Sequence, residues 1–214
     1  MMVMLATHSS ATFHYWAGKY PGKIGWLVGP AASRKLKWHS WVPFAFDNDA
    51  FSAFVNNTEW DVSAWLEMLN ESRRNRRNAK WILVPDVVAD KKATIEKWKR
   101  FSPIARRYES DLAFAVQDGM SPDDVPADAD LIFIGGSTQW KWATLKMWCQ
   151  FPRVHVGRVN TIERVWRCHD LGVESVDGTG WFRDGTDQPR MTRLENYFAG
   201  FRQLNLFSDG QNTP

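Results

Sequence analysis

The amino-acid sequence predicts a parallel α/β fold, a compact (β/α)8 barrel trimmed to one domain. Two observations carry that expectation. About eight short apolar runs recur along the 214 residues, and stretches with helical spacing separate them. Runs that do not alternate apolar with polar residues suit strands covered on both faces, and strand–helix alternation points to an α/β architecture. A closed barrel typically takes about 250 residues, so this one is pared down. An open doubly wound sheet is the alternative, because strand order is not written in the sequence.

The expected strands are residues 2–6 (MVMLA), 24–28 (IGWLV), 43–46 (PFAF, the weakest), 81–84 (WILV), 112–116 (LAFAV), 131–134 (LIFI), 154–156 (VHV) and 173–176 (VESV). Helices are expected over 62–77, where Val62, Trp65, Leu66 and Leu69 share a face, and over 91–108, where Ile95, Trp98, Phe101 and Ile104 do. Further helices are expected over 140–150, 162–171 and 190–204. Ser121 with Pro122, and Thr161, suit helix starts. The barrel is expected to span residues 1–207, with 208–214 a polar, loose tail.

Hydrophobic residues make up 44% and charged residues 24%, a globular balance. No apolar stretch approaches a membrane span, and the opening residues lack the basic region and cleavage site of a signal peptide. Cys149 and Cys168 are the only cysteines, too few for a disulfide scaffold. Together these features predict a cytoplasmic protein without a membrane partner.

The net charge is only +3, but basic residues are bunched. Arg73, Arg74, Arg76, Arg77 and Lys80 form one cluster, and a run of lysines and arginines follows from Lys91 to Arg107. Such runs neutralise phosphates or simply solvate a helix face. Thirteen tryptophans are present, and Trp140 and Trp142 bracket Lys141. Aromatic residues beside basic ones stack unpaired bases, although most tryptophans pack in cores.

In barrels of this kind the chemistry sits at the carboxyl ends of the strands. Those positions hold His8-Ser9-Ser10, Asp47-Asn48-Asp49, Pro85-Asp86 and then Asp90, Gln117-Asp118-Gly119, Gly135-Gly136-Ser137, Gly157-Arg158 and Asp177-Gly178, with His155 inside the seventh strand. Asp47, Asp86 and Asp177 would crowd negative charge into one mouth and separate their pKa values. Paired carboxylates are what cleavage at a sugar anomeric carbon needs: one attacks or stabilises the oxocarbenium-like centre, and the other moves a proton. Gln117 and the backbone at Gly135-Gly136 could hydrogen-bond a planar heterocycle. Each Asp, taken singly, could instead cap a helix or close a turn.

In order and position these segments resemble the tRNA-guanine transglycosylases. Asp47-Asn48-Asp49-Ala50-Phe51 is similar to a degenerate Asp-Ser-Gly-Gly-Phe-Gln segment, and Asp86 matches the base-binding aspartate. Val116-Gln117-Asp118-Gly119, Ile134-Gly135-Gly136-Ser137, Val156-Gly157-Arg158-Val159 and Val176-Asp177-Gly178 follow in the family's sequence. The resemblance implies Asp177 as nucleophile and Asp47 as general acid/base. It implies that Asp86, Gln117, Gly135, Gly136 and Gly157 surround the purine, with His155 or Val156 on the base face; a buried strand histidine is the other reading of His155. Arg73, Arg74, Arg76, Arg77, Lys141 and Arg158 would then serve the polymer. The family's zinc site is missing, since no Cys or His follows His169, so neither metal nor cofactor is expected.

These losses resemble the DpdA-like branch of phages and bacteria, which implies DNA as the polymer, tRNA less so. They imply a free 7-deazaguanine base as the incoming group, an accessory protein as a potential partner, and a monomer or homodimer. The expected function is DNA-guanine transglycosylation. A hydrolytic glycosylase and a catalytically silent nucleic-acid-binding barrel are the alternatives.

Overall fold

The computed structural model describes residues 2–183, 185 and 188–202; the tail at 208–214 and the end of the expected last helix lie outside them. Among the described residues, eight parallel strands close in chain order into a barrel. They are β1 Val3–Ala6, β2 Ile24–Val28, β3 Phe44–Phe46, β4 Trp81–Leu83, β5 Asp111–Val116, β6 Leu131–Ile134, β7 Val154–Val156 and β8 Ser175–Asp177. The closing pair is β1 with β8, where Leu5 faces Asp177. The open sheet is thereby excluded.

Side-chain parity explains how runs without alternation build this object. Successive residues of a strand point to opposite faces. One set, including Val3, Leu5, Leu27, Ala45, Trp81, Leu83, Ala113, Ala115 and Leu131, fills the barrel interior. The other set, including Met4, Trp26, Phe46, Ile82, Phe114, Ile132, Val154 and Val176, packs outward against the helices. Inside, the fully buried Trp81 indole is matched by alanines at 45, 113 and 115, so large and small residues interlock.

The helical layer is α1 Ala11–Lys19, α2 Pro30–Ser33, α3 Ala50–Val55, α4 Val62–Arg74, α5 Lys91–Ala105, α6 Thr138–Trp148, α7 Ile162–Asp170 and α8 Gln188–Phe198. Between β5 and β6 the crossover is only the 3-10 turn Pro122–Asp124, one place where the fold is shortened. Ser10, Asp61, Asp90, Ser137 and Thr161 each cap a helix through a side-chain oxygen. The capping reading therefore holds for Asp90, but Asp47, Asp86 and Asp177 cap nothing. The eighth strand starts two residues later than expected and ends one later, which makes Asp177 its last residue.

Candidate active site

Thr7, Gly29, Asp47, Gln117, Gly135, Gly157 and Asp177 all continue the inward parity of their strands by one step. They form the layer above the apolar interior and line a cavity of about 580 Å³ at the carboxyl end of the barrel. That volume suits a small planar ligand. Asp86 reaches the same cavity off parity, because the chain turns at Pro85 after β4 ends at Leu83.

Asp177 is 5% exposed. Its Oδ1 accepts from the Arg158 backbone N–H at 3.1 Å, and its Oδ2 lies 3.1 Å from His155 Nε2. The other His155 nitrogen meets the Ser175 hydroxyl at 2.8 Å. His155 therefore sits beneath the site. It is fully buried and stacked under Phe133, with centroids 4.7 Å apart. His155 is thus the buried strand histidine of the two readings, not a residue on a base; Phe133, half-covered, lines the cavity above it. From the middle of β7, pointing inward, His155 could only orient what lies above it.

The second carboxylate is Asp47. Burial, and then the charges of Asp49, Asp177 and Asp86, push its pKa up to about 7, against one opposing hydrogen bond from the Asn48 N–H. A carboxyl group that titrates near neutrality can both give and take a proton. Asp86 is likewise raised, chiefly by burial, with Asn48 and Lys97 opposing. Its Oδ1 accepts from Asn48 Nδ2 at 2.7 Å and its Oδ2 from Gln117 Nε2 at 2.6 Å. Gln117 Oε1 accepts from the backbone N–H groups of Ala89 and Gly136. Two donors at that oxygen fix which way the amide faces. Gln117 thus braces the Asp86 carboxylate, which presents its remaining lone pairs to the cavity.

Asn48 carries no role in the sequence-based expectation, yet it ties the site together. Its side-chain amide donates to Val84 O and Asp86, and its carbonyl accepts from the Ala50 N–H. Asp49, in the left-handed region at φ 58°, accepts from the Ala31 N–H and lines the same cavity. Position beside Asp47 at a strand end was the available signal for both.

Gly157 is closely packed: a Cβ there would stand 3.1 Å from the Phe133 ring and 3.3 Å from Asp177 Oδ2, so both would have to give by a few tenths of an ångström. Its carbonyl accepts from Lys141 Nζ. Lys141 is 1% exposed, so it is no phosphate contact in this structure, contrary to expectation. The helix turns it onto the barrel, where burial and then Arg158 bring its pKa down to about 8. The peptide that accepts from Lys141 is the one whose N–H, at Arg158, donates to Asp177. Arg158 itself lines the cavity, donates to Gly136 O and lies 4.4 Å over the Phe51 ring.

Arg73, Arg74, Arg76 and Arg77 are not at this mouth. They end α4 and directly precede β4, and strand starts lie at the opposite end of a parallel barrel. One ligand seated over the carboxylates does not reach them.

Among the described residues no group of three or more His, Cys, Asp or Glu side chains is placed to hold a metal ion, and no helix is long and apolar enough to cross a membrane. No protein-family model and no curated protein matches the chain. Among solved structures it is similar to one described as a native KDPGal structure, at 12% sequence identity and a TM-score of 0.49, with 93% of this chain and 92% of that one covered. Likeness at that level carries no inference about chemistry.

Proposed function

We propose that this chain is an enzyme that breaks the N-glycosidic bond of a purine nucleotide unit, in DNA rather than tRNA, and transfers the sugar to a free 7-deazaguanine base. The observation that supports the reading best is the pairing in one cavity of two unlike carboxylates: Asp177, held on both oxygens, and Asp47, raised to about 7. Asp177 attacks the anomeric carbon as the guanine departs with a proton from Asp47. The incoming base then loses a proton to Asp47 and displaces the covalent Asp177 ester, which restores both groups. Four aspartates on one cavity wall favour the positive charge that develops on the sugar. The base lies against Phe133, its edge toward Asp86 and the Gly136 backbone.

Mass spectrometry of nucleosides from DNA incubated with the protein and free 7-deazaguanine bases tests this, beside an Asp177→Ala control. A deazaguanine deoxynucleoside made only by the wild type is the expected result. An active Asp177→Ala enzyme would remove Asp177 from the role of nucleophile. Abasic sites in place of exchanged bases would make water the acceptor.

A further inference from the structure

At the barrel end opposite the carboxylates lies a second cavity, of about 180 Å³. Two successive connections build it: the end of α4 with the residues before β4, and the 3-10 turn Arg106–Tyr108 before β5. Its rim carries the guanidinium groups of Arg73, Arg76, Arg77 and Arg107, and its floor is Phe46 and Ile82. Glu109 is the one carboxylate among its lining residues, so four positive charges and one negative leave a net three.

The pairing pattern is informative. Neighbouring arginines do find carboxylates: Arg106 pairs with Asp130, and Arg34 with Glu67. None of the four rim arginines takes part in an ion pair among the described residues; Arg77 instead rests on the Trp38 ring at 4.4 Å. Like charges gathered over an apolar floor repel one another more strongly than in open water. An anion relieves that repulsion. Guanidinium forks match the paired oxygens of a phosphate, and the buried Phe46 and Ile82 close the cavity beneath them.

We propose that this cavity is a second binding site, distinct from the carboxylate cavity, for one phosphate group of an organic phosphate. The phosphate belongs either to a free mononucleotide or to the backbone of a polynucleotide, and the experiment separates the two. It does not depend on the base-exchange reading.

The full chain is titrated calorimetrically with inorganic phosphate, with deoxyguanosine 5′-monophosphate and with a short single-stranded deoxyoligonucleotide, at fixed salt. Saturable binding is expected, weakened at least about ten-fold in Arg73→Gln/Arg107→Gln, the equivalent of losing one charge-assisted contact. Arg107→Lys keeps the charge but loses the fork and is expected to fall between the two. Both arginines are exposed, and an unchanged thermal midpoint confirms that the variants fold. Binding of the mononucleotide identifies a small organic phosphate. Binding of the oligonucleotide alone, with a salt dependence shallower in the double variant, identifies a backbone phosphate. Asp177→Asn, in the other cavity, is expected to leave the affinity for inorganic phosphate unchanged, so loss of base exchange and loss of phosphate binding are read separately. No saturable binding in any arm, or binding that the double variant retains in full, overturns the assignment.

Discussion

Replacing Asp47 by asparagine tests the electrostatics of the mouth without needing a substrate. Folding holds the Asp47 proton up to about pH 7, whereas the unfolded chain releases it near the ordinary value of 3.8. Between those values the folded state binds one more proton than the unfolded state, so stability falls as pH rises through the window. Each pH unit is worth about 1.36 kcal/mol, so the full penalty above pH 7 is about 4 kcal/mol. A neutral amide at this position carries no such penalty. The stability difference between Asp47→Asn and wild type should therefore swing in favour of the variant by about 4 kcal/mol from pH 4 to pH 7.5, and then level off. Urea unfolding of both proteins at intervals of pH measures it. A difference that stays flat across that range would mean that Asp47 ionises near 4 in the fold, and the neutral-pH acid/base role would go with it.

Three further outcomes follow from the same geometry. Lys141, lowered from 10.5 to about 8 by burial, gives the opposite slope: the unfolded chain holds the extra proton, so wild-type stability gains about 3 kcal/mol from pH 8 to above 10. Lys141→Met should lack that gain in the same unfolding assay, and a shared slope would refute the buried ammonium. Gln117→Leu leaves the buried Asp86 carboxylate and Gly136 N–H short of a partner, and the exposed Ala89 N–H to water; at about 1–3 kcal/mol for each buried orphan, a loss of at least about 2 kcal/mol is expected by chemical denaturation. Gly136 sits at φ +68°, and a Cβ there would stand 2.7 Å from the Trp140 ring. Gly136→Ala should cost more than about 1 kcal/mol in thermal unfolding, and a neutral result would show that the Gly136 turn relaxes freely.

Much of this arrangement was legible because parity and strand ends are local properties. Placing residues 112–116 and 131–134 as strands already set Gln117 and Gly135 at strand ends, and the observed parity turns both inward. The eighth strand was harder. Val173 and Val176 suggested its limits, but Val173 belongs to the turn before it, and only the pairing of Leu5 with Asp177 sets its end. The roles of Lys141 and the arginines were illegible for another reason. Charge identifies a residue that can meet phosphate, but not which end of the barrel or which side of a helix carries it. Lys141 stands between two tryptophans, and only packing shows that its helix turns it inward. Asn48 looked like one polar residue among three, because its bonds run to Val84 and Asp86, 36 and 38 positions away.

The thinnest seam of the barrel lies between β3 and β4, which share a single register pair, Phe46 with Ile82. Asp47 follows directly on one side of that seam and Asp86 on the other, with the Asn48 amide as the strap across them. Partial opening of the barrel should begin there, at a cost below that of global unfolding. Amide hydrogens around Phe46 and Ile82 would then exchange ahead of those in the longer β5–β6 pair. Heat would part Asp47 from Asp86 while most of the wall stays closed, and the proposed base exchange would fade at a temperature where the fold as a whole still holds.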